Sequence, residues 1–184
     1  MNKKIKIITY ITNFVPELGF LTDQKKNFVA ISHPSAELAA QKLLNHEEGD
    51  YLSGYIKIID DDQVIVSEKE WTGELLETWA DLSYIVLDRA SEKKYPIELL
   101  DNPTKLYLVK EEKGYFFEIE KVTMENNKEF IQSSVIDTEK LLEAIYVSYK
   151  EFLTFCTERA VTFSAESLLH SSVQTLKCLQ DKRA

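Results

Sequence analysis

The residues of this 184-residue chain whose types and spacing offer chemistry are carboxylates. Projected at about 100° per residue, Glu70, Glu74, Glu77, Asp81 and Asp88 fall within roughly 60° of one another, with Tyr84 beside them. Glu77 and Asp81, one turn apart, are oxygen ligands of the kind hard divalent cations take. Neither a histidine nor a matching pair on a second helix accompanies them, so no metal and no cofactor is assigned. Glu118 and Glu120, two apart in a strand-like run, share a face, with Glu98 as a third carboxylate. Two carboxyls of different pKa are the equipment of general acid/base catalysis, and a solvated sheet face accounts for this pair as well.

The motifs that accompany catalysis are missing. The chain has no Gly-rich phosphate loop, no G-x-S-x-G, no H-E-x-x-H and no C-x-x-C, and only five glycines. His33, His46 and His170 are far apart in sequence and sit in or beside polar stretches, as surface or loop histidines do. No catalytic residue is assigned.

Positioning the acidic row falls to one predicted helix, Ser67 to Arg89. Ser67 and Glu70 have the spacing of a capping box, and Val66 and Trp71 that of a hydrophobic staple. Trp71, Leu75, Leu76, Trp79, Leu82, Val86 and Leu87 share an arc of about 160°, which makes that side the core face. Glu70 is explained by the cap, whereas Glu77, Asp81 and Asp88 lie beyond the first turn, where the helix dipole favours acids. Like charges one turn apart cost a few tenths of a kcal/mol each, about 0.2–0.5, and no base relieves them before Arg89. Two accounts of the row follow: a solvated face that keeps the chain soluble, or a docking surface.

Composition narrows the partners. With 44% hydrophobic residues, five Gly and four Pro, the chain reads as one globular domain spanning residues 1–184. Its net charge of −9 argues against nucleic acid or an anionic membrane as a partner. Glu47 to Glu92 holds thirteen Asp and Glu against three Lys and Arg, so the acidity is local. Cys156 and Cys178 make neither a disulfide framework nor a zinc site, and on consecutive antiparallel helices they would be offset by roughly 15 Å. Met1 to Phe14 alternates lysine and isoleucine without a leader's apolar core, and no run is long enough to span a membrane. A reducing cytoplasm is the expected location.

The remaining elements give an α+β fold. Strands are predicted at Lys3–Thr12, Phe28–Ser32, Tyr51–Ile59, Gln63–Val66, Pro96–Leu100, Thr104–Val109, Tyr115–Val122 and Glu129–Ile136. They make a mainly antiparallel sheet of about five to seven strands, and Glu129–Ile136 joins the meander because no connection long enough for a parallel crossover precedes it. Ser35 is positioned to cap a short helix with Ala36, Ala39, Ala40, Leu43 and Leu44 inward. Asp137 caps a long helix to about Arg159 and Ser164 a last one, a C-terminal helical pair. Asp60, Asp61 and Asp62 turn the hairpin that enters the acidic helix.

The hairpin at Tyr55-Ile-Lys-Ile-Ile, the helix carrying Trp71 and Trp79, the Pro96-Ile-Glu-Leu strand, the meander and the long helix together resemble the small acidic bacterial immunity proteins that neutralise toxins. The resemblance covers roughly Gly54 to Arg159 and carries no functional residue across. It implies a cytoplasmic inhibitor that occludes the active site of a basic toxin such as a nuclease, its acidic patch standing in for phosphates. The candidate partner-binding residues are Glu74, Glu77, Asp81, Tyr84 and Asp88, with Asp60, Asp61 and Asp62 adjoining. Two alternatives remain: an enzyme using the carboxylate pair, and a structural or oligomerisation module that uses the last helix. The sequence does not set the oligomeric state.

Overall fold

The structure, a computed structural model, describes residues 5–125 and 127–183. In chain order, β1 (Ile5–Thr12) leads through the two-residue strands β2 (Phe14–Val15) and β3 (Gly19–Phe20) to β4 (Phe28–Ala30) and helix α1 (Ala36–His46). The chain then returns as the hairpin β5 (Gly54–Asp60) and β6 (Gln63–Val66). These strands give one four-stranded antiparallel sheet, β4-β1-β5-β6, with β2 and β3 as a separate ribbon. A 3₁₀ turn (Glu68–Glu70) and helix α2 (Leu75–Leu87) follow. Next come β7 (Lys94–Ile97), β8 (Lys105–Glu111), β9 (Gly114–Val122) and β10 (Lys128–Gln132), then the helices α3 (Thr138–Glu158) and α4 (Leu169–Arg183). The four consecutive strands form a second antiparallel sheet in the order β10-β9-β8-β7. The fold is α+β as predicted, its strands divided between two main sheets instead of joined in one. Lys3 and Lys4 of the first predicted strand lie outside the described residues.

Local rules explain most elements. β1 alternates, burying Ile7, Thr9 and Ile11. Helix α1 buries the five residues its spacing selects, although Ser35 caps it without a side-chain bond and instead donates its N–H to His33 Nδ1 (3.0 Å). Asp137 caps α3, its Oδ1 accepting the Lys140 N–H (3.1 Å). The last helix begins at Leu169 and not at Ser164, whose hydroxyl is bonded to Asp50. The connection from β1 to β4 is organised by Asn13, which is fully buried. Its Nδ2 donates to Gln24 O and Lys26 O (both 2.8 Å) and its Oδ1 accepts from Thr22 Oγ1 (2.8 Å). Both cysteines are free, Cys156 buried and Cys178 exposed.

The core is a continuous cluster centred on Trp79, which is fully buried between Tyr149 (5.7 Å between ring centroids) and Phe152 (6.0 Å). Its indole N–H finds an acceptor in Thr9 Oγ1 of β1 (3.1 Å), so one side chain joins α2, α3 and the first sheet. Ser148 of α3 adds a second tie, donating to Ile7 O (3.0 Å).

Gly114 shows why the β8–β9 hairpin needs glycine. It sits at φ +155°, and Ile136, which bridges to Tyr115, passes so close that a Cβ on Gly114 would lie 1.9 Å from Ile136 O. Gly114→Ala is therefore expected to lower unfolding free energy by about 2–4 kcal/mol in urea melts, without changing the slope of the transition.

Candidate protein-binding surface

The predicted helix from Ser67 is broken, and the break decides which carboxylates reach solvent. The capping box forms: Glu70 Oε2 accepts from Ser67 N and Oγ (both 3.0 Å). It closes only the 3₁₀ turn, because Trp71 is extended and Thr72 forms a β-bridge with Gly54. Gly73, costly in a helix interior, donates its N–H to Leu100 O (2.8 Å). Thr72 fixes the break, its Oγ1 accepting the Leu100 N–H (3.1 Å) and lying 3.1 Å from Thr78 Oγ1. Trp71, predicted in the core, is therefore 37% exposed, while Ile85, outside the predicted stripe, is fully buried.

With α2 beginning at Leu75, the acidic row separates by role. Glu70 is buried, and its Oε1 pairs with Lys121 of β9 (3.0 Å). Glu74 is also buried and is the N-cap of α2, its Oε1 accepting the Leu76 N–H (2.7 Å). Burial raises its carboxyl pKa to about 7, against the opposing pull of the backbone bonds. Asp88 caps the other end and accepts from Tyr95 Oη and Ser91 Oγ, bonds that hold its carboxyl below the ordinary range. Asp60 is buried at the far end of β5, with Ser134 Oγ donating to it (2.8 Å). Asp61 takes a left-handed conformation (φ 52°) in the turn, where it and Asp62 are exposed. Ser134 follows β10, whereas α2 packs along β7, the opposite edge of that sheet. The hairpin acids therefore do not join the helix acids.

A smaller cluster remains. Asp81 Oδ2 accepts the Glu98 N–H just past β7 (2.8 Å), and Thr78 Oγ1 donates to Glu98 O (2.7 Å). Glu98 thus comes to the side of α2 that carries Glu77 and Asp81. The Asp81 carboxyl is held above its ordinary pKa by partial burial, and the charges of Glu98 and Glu77 add to the rise. Among the described residues, no lysine, arginine or histidine forms an ion pair with Glu77, Asp81 or Glu98. Tyr84, one turn further on, is 53% exposed, with its ring 6.3 Å from Tyr95.

Glu98 has no place in the sequence-derived docking surface, where it appears only as a neighbour of Glu118 and Glu120. Gly73 was the available signal for the break, since a helix starting after it turns Glu74 inward. The Glu118–Glu120 face is differently built: Glu118 pairs with Lys94 (2.8 Å) and Glu120 with Lys128 (2.8 Å). Those lysines hold both carboxyls below their ordinary pKa, the reverse of what a general acid needs. Among the described residues, no group of three or more metal-ligating side chains occurs, and no helix is long and apolar enough to cross a membrane. No protein family, curated protein or solved structure matches the chain.

Glu74 gives a pH dependence with a definite sign. The folded carboxyl keeps its proton to about pH 7 while the unfolded one loses it from 4.5, so this contribution is complete below pH 4.5 and lost as pH rises through 7. The loss amounts to about 3 kcal/mol. Glu74→Gln keeps an acceptor for Leu76 and cannot ionise, so urea midpoints at pH 5 and pH 8 should converge in the variant relative to the wild type.

Proposed function

We propose that this protein acts by binding a basic protein through the outer side of α2 and the end of β7, as an inhibitor of the immunity-protein kind. The observation that carries this reading is the crowding of Glu77, Asp81 and Glu98, none of them in an ion pair with a base among the described residues, beside the half-exposed ring of Tyr84. The chain holds these acids together through the backbone of Glu98, whose N–H donates to Asp81 and whose carbonyl accepts from the Thr78 hydroxyl, against their mutual repulsion. The first turn of α2 accounts for Glu77, contrary to the longer predicted helix, and the Glu98 N–H for one oxygen of Asp81, but neither relieves the repulsion among the three acids. A lysine- or arginine-rich surface relieves it, and an aromatic beside the charges supplies buried area.

The mechanism is occlusion. Negative potential steers a cationic partner into contact and speeds association. Once seated, carboxylates occupy the positions where a nuclease's basic residues receive phosphate, and Tyr84 excludes water from the contact.

Glu77→Lys combined with Glu98→Lys tests the reading, because neither side chain is hydrogen-bonded among the described residues and Glu77 contributes only the modest favour of an acid in the first turn of α2. The wild type should retain one basic protein from its host's lysate or secreted toxins and release it as salt rises, while the double variant should associate about tenfold more slowly or fail to retain it. Stability should fall by no more than about 1 kcal/mol, mostly from reversing the charge at Glu77 in the first turn of α2. Equal capture by both proteins refutes the assignment.

A further inference from the structure

The sheet edges of this fold are defended in different ways, with one exception. β4 is three residues long, and β6 carries a register shift against β5. β7 contains Pro96 and is flanked by α2, whose Thr78 and Asp81 bond the backbone of Glu98. The part of β1 beyond β4 is flanked by α3, whose Ser148 occupies Ile7 O across a groove of about 970 Å³. β10 has none of these protections. It runs five residues in unbroken register with β9, contains no proline, and exposes every residue, including Phe130 (52%) and Ile131 (43%). Val122, Met124 and Val135 add exposed apolar surface near its ends.

We propose that β10 is a homodimer interface, pairing antiparallel with β10 of a second copy to make one continuous eight-stranded sheet. Backbone alternation permits it. Ser133 N–H donates to Phe117 O (2.9 Å), so Glu129 and Ile131 turn their backbone groups to β9, and Lys128, Phe130 and Gln132 turn theirs outward. Side chains select the register. A two-fold axis at Phe130 pairs all five residues: Phe130 with its equivalent, Lys128 with Gln132, and Glu129 with Ile131. Centring the axis on Glu129 would set two glutamates against each other, which destabilises. The choice of a second copy rests on charge and self-fit. The chain carries −9, yet the strand Lys128–Gln132 is neutral, so this edge meets its own copy without repulsion and with aromatic against aromatic. The interface also leaves α2 free. At about 4.8 Å per strand, the two β7 edges lie roughly 34 Å apart, so the dimer presents two acidic surfaces at opposite ends.

Sedimentation across a concentration series tests the proposal, together with hydrogen exchange on the intact chain. The weight-average mass should climb from 21.3 kDa toward twice that value, more readily at high salt because screening reduces the repulsion between copies. Exchange at Lys128, Phe130 and Gln132 should slow by about tenfold with concentration, while Glu129 and Ile131, already bonded to β9, should not change. Phe130→Lys should stay monomeric with an unchanged thermal midpoint. A monomer at every concentration overturns the proposal, as does a dimer that leaves those three amides unprotected. So does a wild type that stays monomeric alone and protects them only with a different protein. Salt separates this interface from the α2 surface, whose contact with a basic partner weakens as salt rises.

Discussion

The burial of Trp79 is the constraint on which the rest of this structure depends. A fully buried indole cannot leave its N–H without an acceptor, and the acceptor is Thr9 Oγ1, in the first sheet. The bond fixes how α2 is rotated on that sheet, and Tyr149 and Phe152 then fix where α3 lies. With α2 so oriented, Leu75, Leu76, Leu82 and Ile85 must face inward, and Glu77, Asp81 and Tyr84 occupy the remaining side. The candidate surface is a consequence of satisfying one buried nitrogen.

The carboxylates divide by what they meet. Glu70, Glu118 and Glu120 meet lysines, and Glu74, Asp88 and Asp137 meet helix ends. Asp81 meets a backbone N–H but also two other acids, and in that cluster charge is collected and left uncompensated by any described base. This difference, and not the number of acids, is the ground on which a partner-binding surface is proposed there.

What the sequence made legible follows from range. The capping box at Ser67, the cap at Asp137, the buried face of α1 and the β8–β9 hairpin rest on contacts within a few residues, and each appears where its pattern places it. The length of the acidic helix did not, because Thr72 is held by Gly54 and Leu100, partners remote in the chain. The pairing of Glu70 with Lys121 and the arrival of Glu98 beside Asp81 were hidden for the same reason. The close approach of Ile136 that makes Gly114 necessary was hidden as well.

The ties from α3 to β1 also set an order of events in synthesis. Ser148 bonds Ile7 across 141 positions of sequence, and the rings that enclose Trp79 are Tyr149 and Phe152. Ribosomes add about 5–20 residues per second, so the first sheet and α2 spend many seconds with an unclosed apolar face. The second sheet has no such delay, since its four strands pair with neighbours as they emerge. The nascent chain therefore carries a finished meander and an unfinished core until α3 emerges.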